Sequence, residues 1–114
     1  MLLTAFSAGA LGAEKGDPVA GEKAYKLRCV SCHSMEPGKN GAGPSMAGIV
    51  GKKAGSVTGF AYSGALKNSS LVLDEAGLDQ FLADPRGTVP GSRMFVKVAD
   101  VRARADIVAY LAAH

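Results

Sequence analysis

The sequence predicts an all-α fold, and three observations carry that prediction. Apolar residues recur at helical spacing in three separate stretches, the first two opened by an acidic residue suited to capping. No stretch alternates apolar and polar residues as a strand would, and no internal repeat is visible. Between the first two helical stretches, glycines at 38, 41, 43, 48, 51, 55 and 59 forbid any long regular element. The expected architecture is three main helices plus short helical turns and glycine-rich loops. At 114 residues the chain suggests one domain, near the small end of what buries a self-sufficient core. Three tyrosines, four phenylalanines and no tryptophan leave that core poor in aromatic volume, a gap that a large apolar group would fill.

Met1–Ala13 carries no side-chain charge and is rich in Leu, Ala, Gly and Ser. It is too short to span a bilayer as a helix. It reads as a secretory leader, with small residues at Ala8, Ala10 and Ala13 suited to a peptidase, and residues 14–114 are then the domain proper. A retained N-terminal extension is the alternative.

The first helix starts at Asp17-Pro18, an N-cap acid followed by proline at the first helical position. It runs through the twenties with Gly21, Tyr25 and Cys29 spaced by four along one face. Gly21 costs helix stability and suggests close approach by another helix.

Cys29-Val30-Ser31-Cys32-His33 follows, with the only two cysteines of the chain and one of its two histidines. This order is that of a c-type haem attachment motif. Two thiols add across the two vinyl groups of a haem, and the adjacent imidazole lies beneath the iron as proximal ligand. On one helical turn, positions 29, 32 and 33 project to one side. A disulfide of the thioredoxin kind lacks its βαβ context and leaves His33 unexplained. A zinc site needs about four ligands, and beyond these three only His114 remains.

In the glycine-rich stretch that follows, Met46, Ile49, Val50, Val57 and Phe60 favour an ordered loop draped over a cofactor rather than a linker. A short helical turn is expected over Ser63–Asn68. The second main helix is expected over Asp74–Asp84, with Leu78, Phe81 and Leu82 on one face and Asp74 as cap. Asp84-Pro85 should end it, and a loop should continue through Arg93. The last helix is expected from about Asp100 to Ala112. Val101, Ala105, Val108 and Ala112 form one stripe, with Ile107, Tyr110 and Leu111 beside it.

Thirteen basic and ten acidic side chains give a net charge of +3. The charges are scattered, with no basic run interleaved with aromatics, which argues against a nucleic-acid binder. A mildly basic surface that steers acidic protein partners fits better.

A six-coordinate haem needs a ligand opposite His33. His114 is the final residue of the chain, Met1 belongs to the expected leader, and Met35 lies too close to His33 to cross the ring. Met46 suits a core-filling role. Met94 sits in Val89-Pro90-Gly91-Ser92-Arg93-Met94, a loop stiffened by proline about sixty residues beyond the motif. It is the strongest candidate.

With these residues in place the chain resembles the class I cytochromes c, the small mitochondrial and bacterial c2 type, over residues 17–112. The markers are Cys29–His33, Gly43-Pro44, Gly59-Phe60-Ala61-Tyr62, Leu82-Ala83-Asp84-Pro85, Pro90-Gly91-Ser92-Arg93-Met94 and Arg104–Leu111. The resemblance implies the class I cytochrome c fold around one haem c, covalent through Cys29 and Cys32, with His33 and Met94 as iron ligands. It implies that the Pro44 carbonyl accepts the imidazole N–H and that Tyr62 bonds a haem propionate. Gly21, Tyr25 and Tyr110 would sit where the first and last helices cross. Arg28, Arg86, Arg93 and Lys97 would ring the exposed haem edge. Departures stand at Leu73 for the usual tryptophan, Phe81 for tyrosine, Ser92 for threonine and Lys52 for arginine.

The function so implied is one-electron transfer between redox proteins with acidic docking faces, without enzymatic chemistry. Fitting partners are a quinol-cytochrome c reductase, a terminal oxidase, a reaction centre or a dehydrogenase. A monomer in the periplasm is expected, with no nucleic acid and no membrane contact except through partners. Two alternatives are a peroxidase or small-ligand sensor in which Met94 leaves the iron, and a tethered electron-transfer subunit.

Overall fold

Two helices that cross at a pair of glycines carry the rest of the chain. The structure, a computed structural model, describes residues 15–114, so the expected leader lies outside the described residues. Helix α1 spans Pro18–Arg28 and helix α5 spans Val101–Ala112. Asp17 starts α1 in extended geometry, its carboxylate accepting from Val19 N at 3.0 Å, with Pro18 at the first position. The Asp17 N–H in turn donates to Asp106 Oδ1 of α5 at 2.8 Å. A Cβ at Gly21 would collide with the Asp106 carbonyl, and one at Gly16 with the Ala105 carbonyl. Only glycine lets the two backbones approach this closely. Tyr25 and Tyr110 seal the crossing, ring centroids 5.4 Å apart.

Helix α2, Gly64–Lys67, is the short turn expected over 63–68, capped by the Ser63 hydroxyl, which accepts from Leu66 N. Helix α3, Glu75–Ala83, opens with Asp74 accepting from Gly77 N at 2.8 Å and buries Leu78, Phe81 and Leu82. Arg104 fastens α5 to α3 and to the chain before α5: its Nε donates to Asp79 at 2.8 Å, and its Nη1 donates to the Val98 and Ala99 carbonyls. The core comprises Tyr25, Ile49, Leu78, Leu82, Val98, Ile107, Val108, Tyr110 and Leu111.

Three details differ from expectation. Residues 85–88 are not loop but a helical turn, α4 (Pro85–Thr88). Asp84 ends α3 and at once caps α4, its carboxylate accepting from Gly87 N, so proline acts as a starter as well as a stop. On α5 the buried residues are Asp106, Ile107, Val108, Tyr110 and Leu111, whereas Val101 and Ala112 at the ends of the predicted stripe are exposed. The face is set by the Gly21 crossing, which contacts the middle of α5. Finally, α1 stops at Arg28, so Cys29–His33 forms a turn just beyond the helix instead of its last turn.

The glycine-rich stretch is an ordered loop. Ile49 and Ala54 are buried within it, and Lys53 forms an isolated antiparallel bridge with Val72. Backbone bonds from Gly51 N to Leu73 O, Leu73 N to Lys52 O and Ala54 N to Leu71 O hold it against the approach to α3.

Candidate haem-binding site

Cys29 is the C-cap of α1, its N–H donating to Tyr25 O at 2.8 Å. The chain then coils tightly: Cys32 N and His33 N both donate to Cys29 O, at 3.1 and 2.9 Å. Two free thiols therefore stand one turn apart, Cys29 half-buried and Cys32 exposed. Burial pushes the Cys29 thiol up to about 11, Arg28 opposing and Cys32 adding to the rise.

His33 Nδ1 lies 2.8 Å from the Pro44 carbonyl. A carbonyl only accepts, so the proton sits on Nδ1 and the Nε2 lone pair is free for a metal. Gly43 lies flat against the ring, and a Cβ there would overlap the imidazole atoms. The loop that delivers Gly43-Pro44 is held by contacts the sequence does not announce. Gly43 N donates to Cys32 O at 2.8 Å. Buried Ser45 donates to Glu36 O at 2.7 Å, and its own N–H is taken by the Asn40 side chain at 2.9 Å. Asn40 Nδ2 reaches on to Thr58 O. Ser and Asn in a glycine-rich run signal turns in general, and nothing in sequence says which backbone groups they close on.

Met94 is half-buried against the core cluster, on the chain between α4 and α5. Its approach is fixed from both sides. Ser92, almost wholly buried, donates from its hydroxyl to Pro85 O at 3.3 Å and from its backbone N–H to Val89 O. Gly91 turns the chain with φ +94°, a left-handed value that glycine accepts without strain. Beyond Met94, Val98 N donates to Leu82 O at 2.9 Å. Arg93 reaches Ala61 O at 3.3 Å and ties the loop to the opposite segment. The rival sulfur Met46 lies on the proximal loop, its N–H donating to Ser34 O next to His33. His114 packs its ring on Tyr110 at the end of α5.

The Tyr62 hydroxyl accepts from Val57 N at 3.1 Å, which leaves its proton free to be donated. Burial raises this phenol, with the Val57 N–H pulling the other way. Leu73 is half-buried and offers no side-chain donor, and the Lys52 ammonium stays in solvent. Tyr25 is buried with its hydroxyl unpartnered among the described residues. It lines, with Cys32, His33, Met35 and Tyr110, a groove of about 490 Å³ beside the attachment turn.

Two free thiols one turn apart, beside an imidazole whose Nε2 is free, suit covalent attachment of a haem. The cytochrome c family profile matches residues 18–114. The chain is 49% identical to cytochrome c2 of Rhodomicrobium vannielii over 109 residues, covering 94% of this chain and 85% of that one. It is 47% identical to cytochrome c2 of Rhodoblastus acidophilus over 98 residues, covering 84% and 91%. The solved structure of cytochrome cH from Methylobacterium extorquens superposes with a TM-score of 0.80 at 48% identity, covering 87% of this chain and all of that one. The chain belongs to the cytochrome c family. It carries one haem c, bound through Cys29 and Cys32, and serves as an electron carrier rather than an enzyme. The peroxidase, sensor and tethered-subunit alternatives find no support among these relatives.

Proposed function

We propose that His33 through Nε2 and Met94 through its sulfur would hold the haem iron, and that the chain shuttles single electrons between periplasmic redox proteins. The observation that carries this reading is the 2.8 Å contact from His33 Nδ1 to Pro44 O, which fixes the tautomer and aims Nε2 away from the loop. When bound, haem c supplies a one-electron iron couple whose potential is raised by His/Met ligation.

The chain's own residues do the rest. Gly43 and Pro44 hold the imidazole plane, and the Ser92–Pro85 bond holds the sulfur's approach, so neither ligand has far to move when the charge changes. The Tyr62 hydroxyl, with its own proton unengaged by Val57, would hydrogen-bond a haem propionate. Leu73 and Phe81 offer no propionate or sulfur donor where the family pattern has tryptophan and tyrosine. Lys52 brings a mobile point charge where arginine would bind bidentately.

Arg28, Arg86 and Arg93 form the cationic docking rim for partners with acidic faces. Lys97 contributes less, since Asp84 lies 3.9 Å from its ammonium. A quinol-oxidising complex, an oxidase, a reaction centre or a dehydrogenase would each suit such a rim. Residues 1–13 act as the export leader in this reading.

Met94→Ala tests the ligation. Loss of the weak far-red absorption of Met-ligated ferric haem, with the iron opened to added ligands, is the expected outcome. Persistence of that band would move the assignment to Met46.

A further inference from the structure

Phe95, the residue after Met94, is 71% exposed, and the Arg86 guanidinium lies over its ring, 5.9 Å from the centroid. A large aromatic so open to water gains little from burial, so its one aromatic contact among the described residues matters. Arg86 belongs to α4, which is anchored by the Asp84 cap and by Pro85, among the most deeply buried side chains. Phe95 belongs to the irregular chain between Ser92 and Val98. The stretch before Met94 is tied down by Ser92 and Arg93, whereas after Met94 the next backbone bond to the core is at Val98. Between them, among the described residues, two side-chain interactions bind the loop to the α3–α4 corner: Arg86 on Phe95, and the long Lys97–Asp84 ion pair at 3.9 Å. The second is exposed at both ends and contributes little.

We infer that Arg86 and Phe95 form a clasp that holds the Met94 loop closed, making Arg86 a positioning residue for the sulfur as well as a docking cation. This rests on Met94 being an iron ligand. Opening the loop so that Met94 leaves requires Phe95 to slide from under the guanidinium. An exogenous ligand that competes with Met94 binds only the open fraction, so its apparent affinity reports the clasp directly. A cation over an aromatic face at an exposed site shifts such an equilibrium by about two- to fivefold.

The test is titration of ferric holoprotein with imidazole, followed by the Soret band. Imidazole is used in its neutral form, so the loss of a surface charge does not itself alter its affinity. Arg86→Gln and Phe95→Leu should each lower the apparent Kd by about two- to fivefold, while Phe95→Tyr, which keeps the ring face, should match the parent. The double variant Arg86→Gln/Phe95→Leu should go no further than either single one, because one contact is lost only once. Parent-like affinity in both single variants would overturn the clasp. So would an Arg86→Gln effect that persists undiminished in the Phe95→Leu background. Met94→Ala in the same titration separates this from the ligation reading. It should bind imidazole far more tightly than the parent, and an affinity equal to the parent's would overturn Met94 as ligand and the clasp with it.

Discussion

Tyr25 concentrates the residue-scale physics. Its phenol is pushed up to about 12, first by burial and then by Cys29 and Tyr110, from an ordinary 10.0. The unfolded chain loses this proton near its ordinary value, while the folded chain keeps it for about two units more. Stability is therefore fully present below pH 10 and falls as pH rises toward 12, by on the order of 2 kcal/mol. After haem attachment Cys29 is no longer a thiol, and burial with Tyr110 maintains the direction. Tyr25→Phe should flatten this alkaline slope, seen as the difference in denaturant midpoints between the two proteins across that window. Tyr62 contributes equally to both proteins and cancels. At neutral pH the substitution should be neutral or slightly stabilising, because among the described residues the hydroxyl it removes has no partner. Gly43 makes the opposite case. Gly43→Ala should push the imidazole off Pro44, lower the thermal midpoint and weaken the far-red Met–iron band, since no rotamer relieves a backbone-borne Cβ.

At the scale of elements, helix starts were legible because capping is local. Asp17, Ser63, Asp74 and Asp100 each cap the helix that follows. Helix α4 was not legible. Asp84-Pro85 signals both a stop and a start, and only the Gly87 N–H on Asp84 shows that both occur. The α1–α5 crossing was suggested by Gly21 and, through the family resemblance, by Tyr25 and Tyr110. Its other parts, Gly16 and the Asp106 carboxylate, carry no sequence signal, because their partners are roughly ninety residues away along the chain. Gly21→Ala should cost about 1–3 kcal/mol or more, by forcing the helices apart. Arg104→Ala should cost about 2–3 kcal/mol, since it strips charge-assisted bonds from Asp79 and from two carbonyls. Urea denaturation of holoprotein measures both.

For the whole molecule, a net charge of +3 and the exposed Arg28, Arg86 and Arg93 predict salt-dependent encounters. Arg28→Glu should slow the second-order reaction with an acidic redox partner several-fold at low salt, and the difference should vanish near molar salt. Stopped-flow rates across ionic strength would show it, and identical rates at low salt would place docking elsewhere. Arg28 is the cleaner probe, since Arg86 and Arg93 also brace the Met94 loop.

The attachment motif, the Asp17 and Asp74 caps and the Pro-Gly-x-x-Met segment were determined by the sequence alone, because each depends on neighbours within a few residues and on side-chain chemistry. The sequence alone also pointed to one covalent haem, from the order Cys29, Cys32, His33. What only the tertiary structure decided depends on partners distant along the chain. It set which face of α5 is buried, how Ser45 and Asn40 shape the proximal loop, and that Arg86, a surface charge in sequence, rests on Phe95. Periodicity encodes that a face is apolar. Which face wins is settled by the close contact at Gly21, and that contact exists only once both helices have folded.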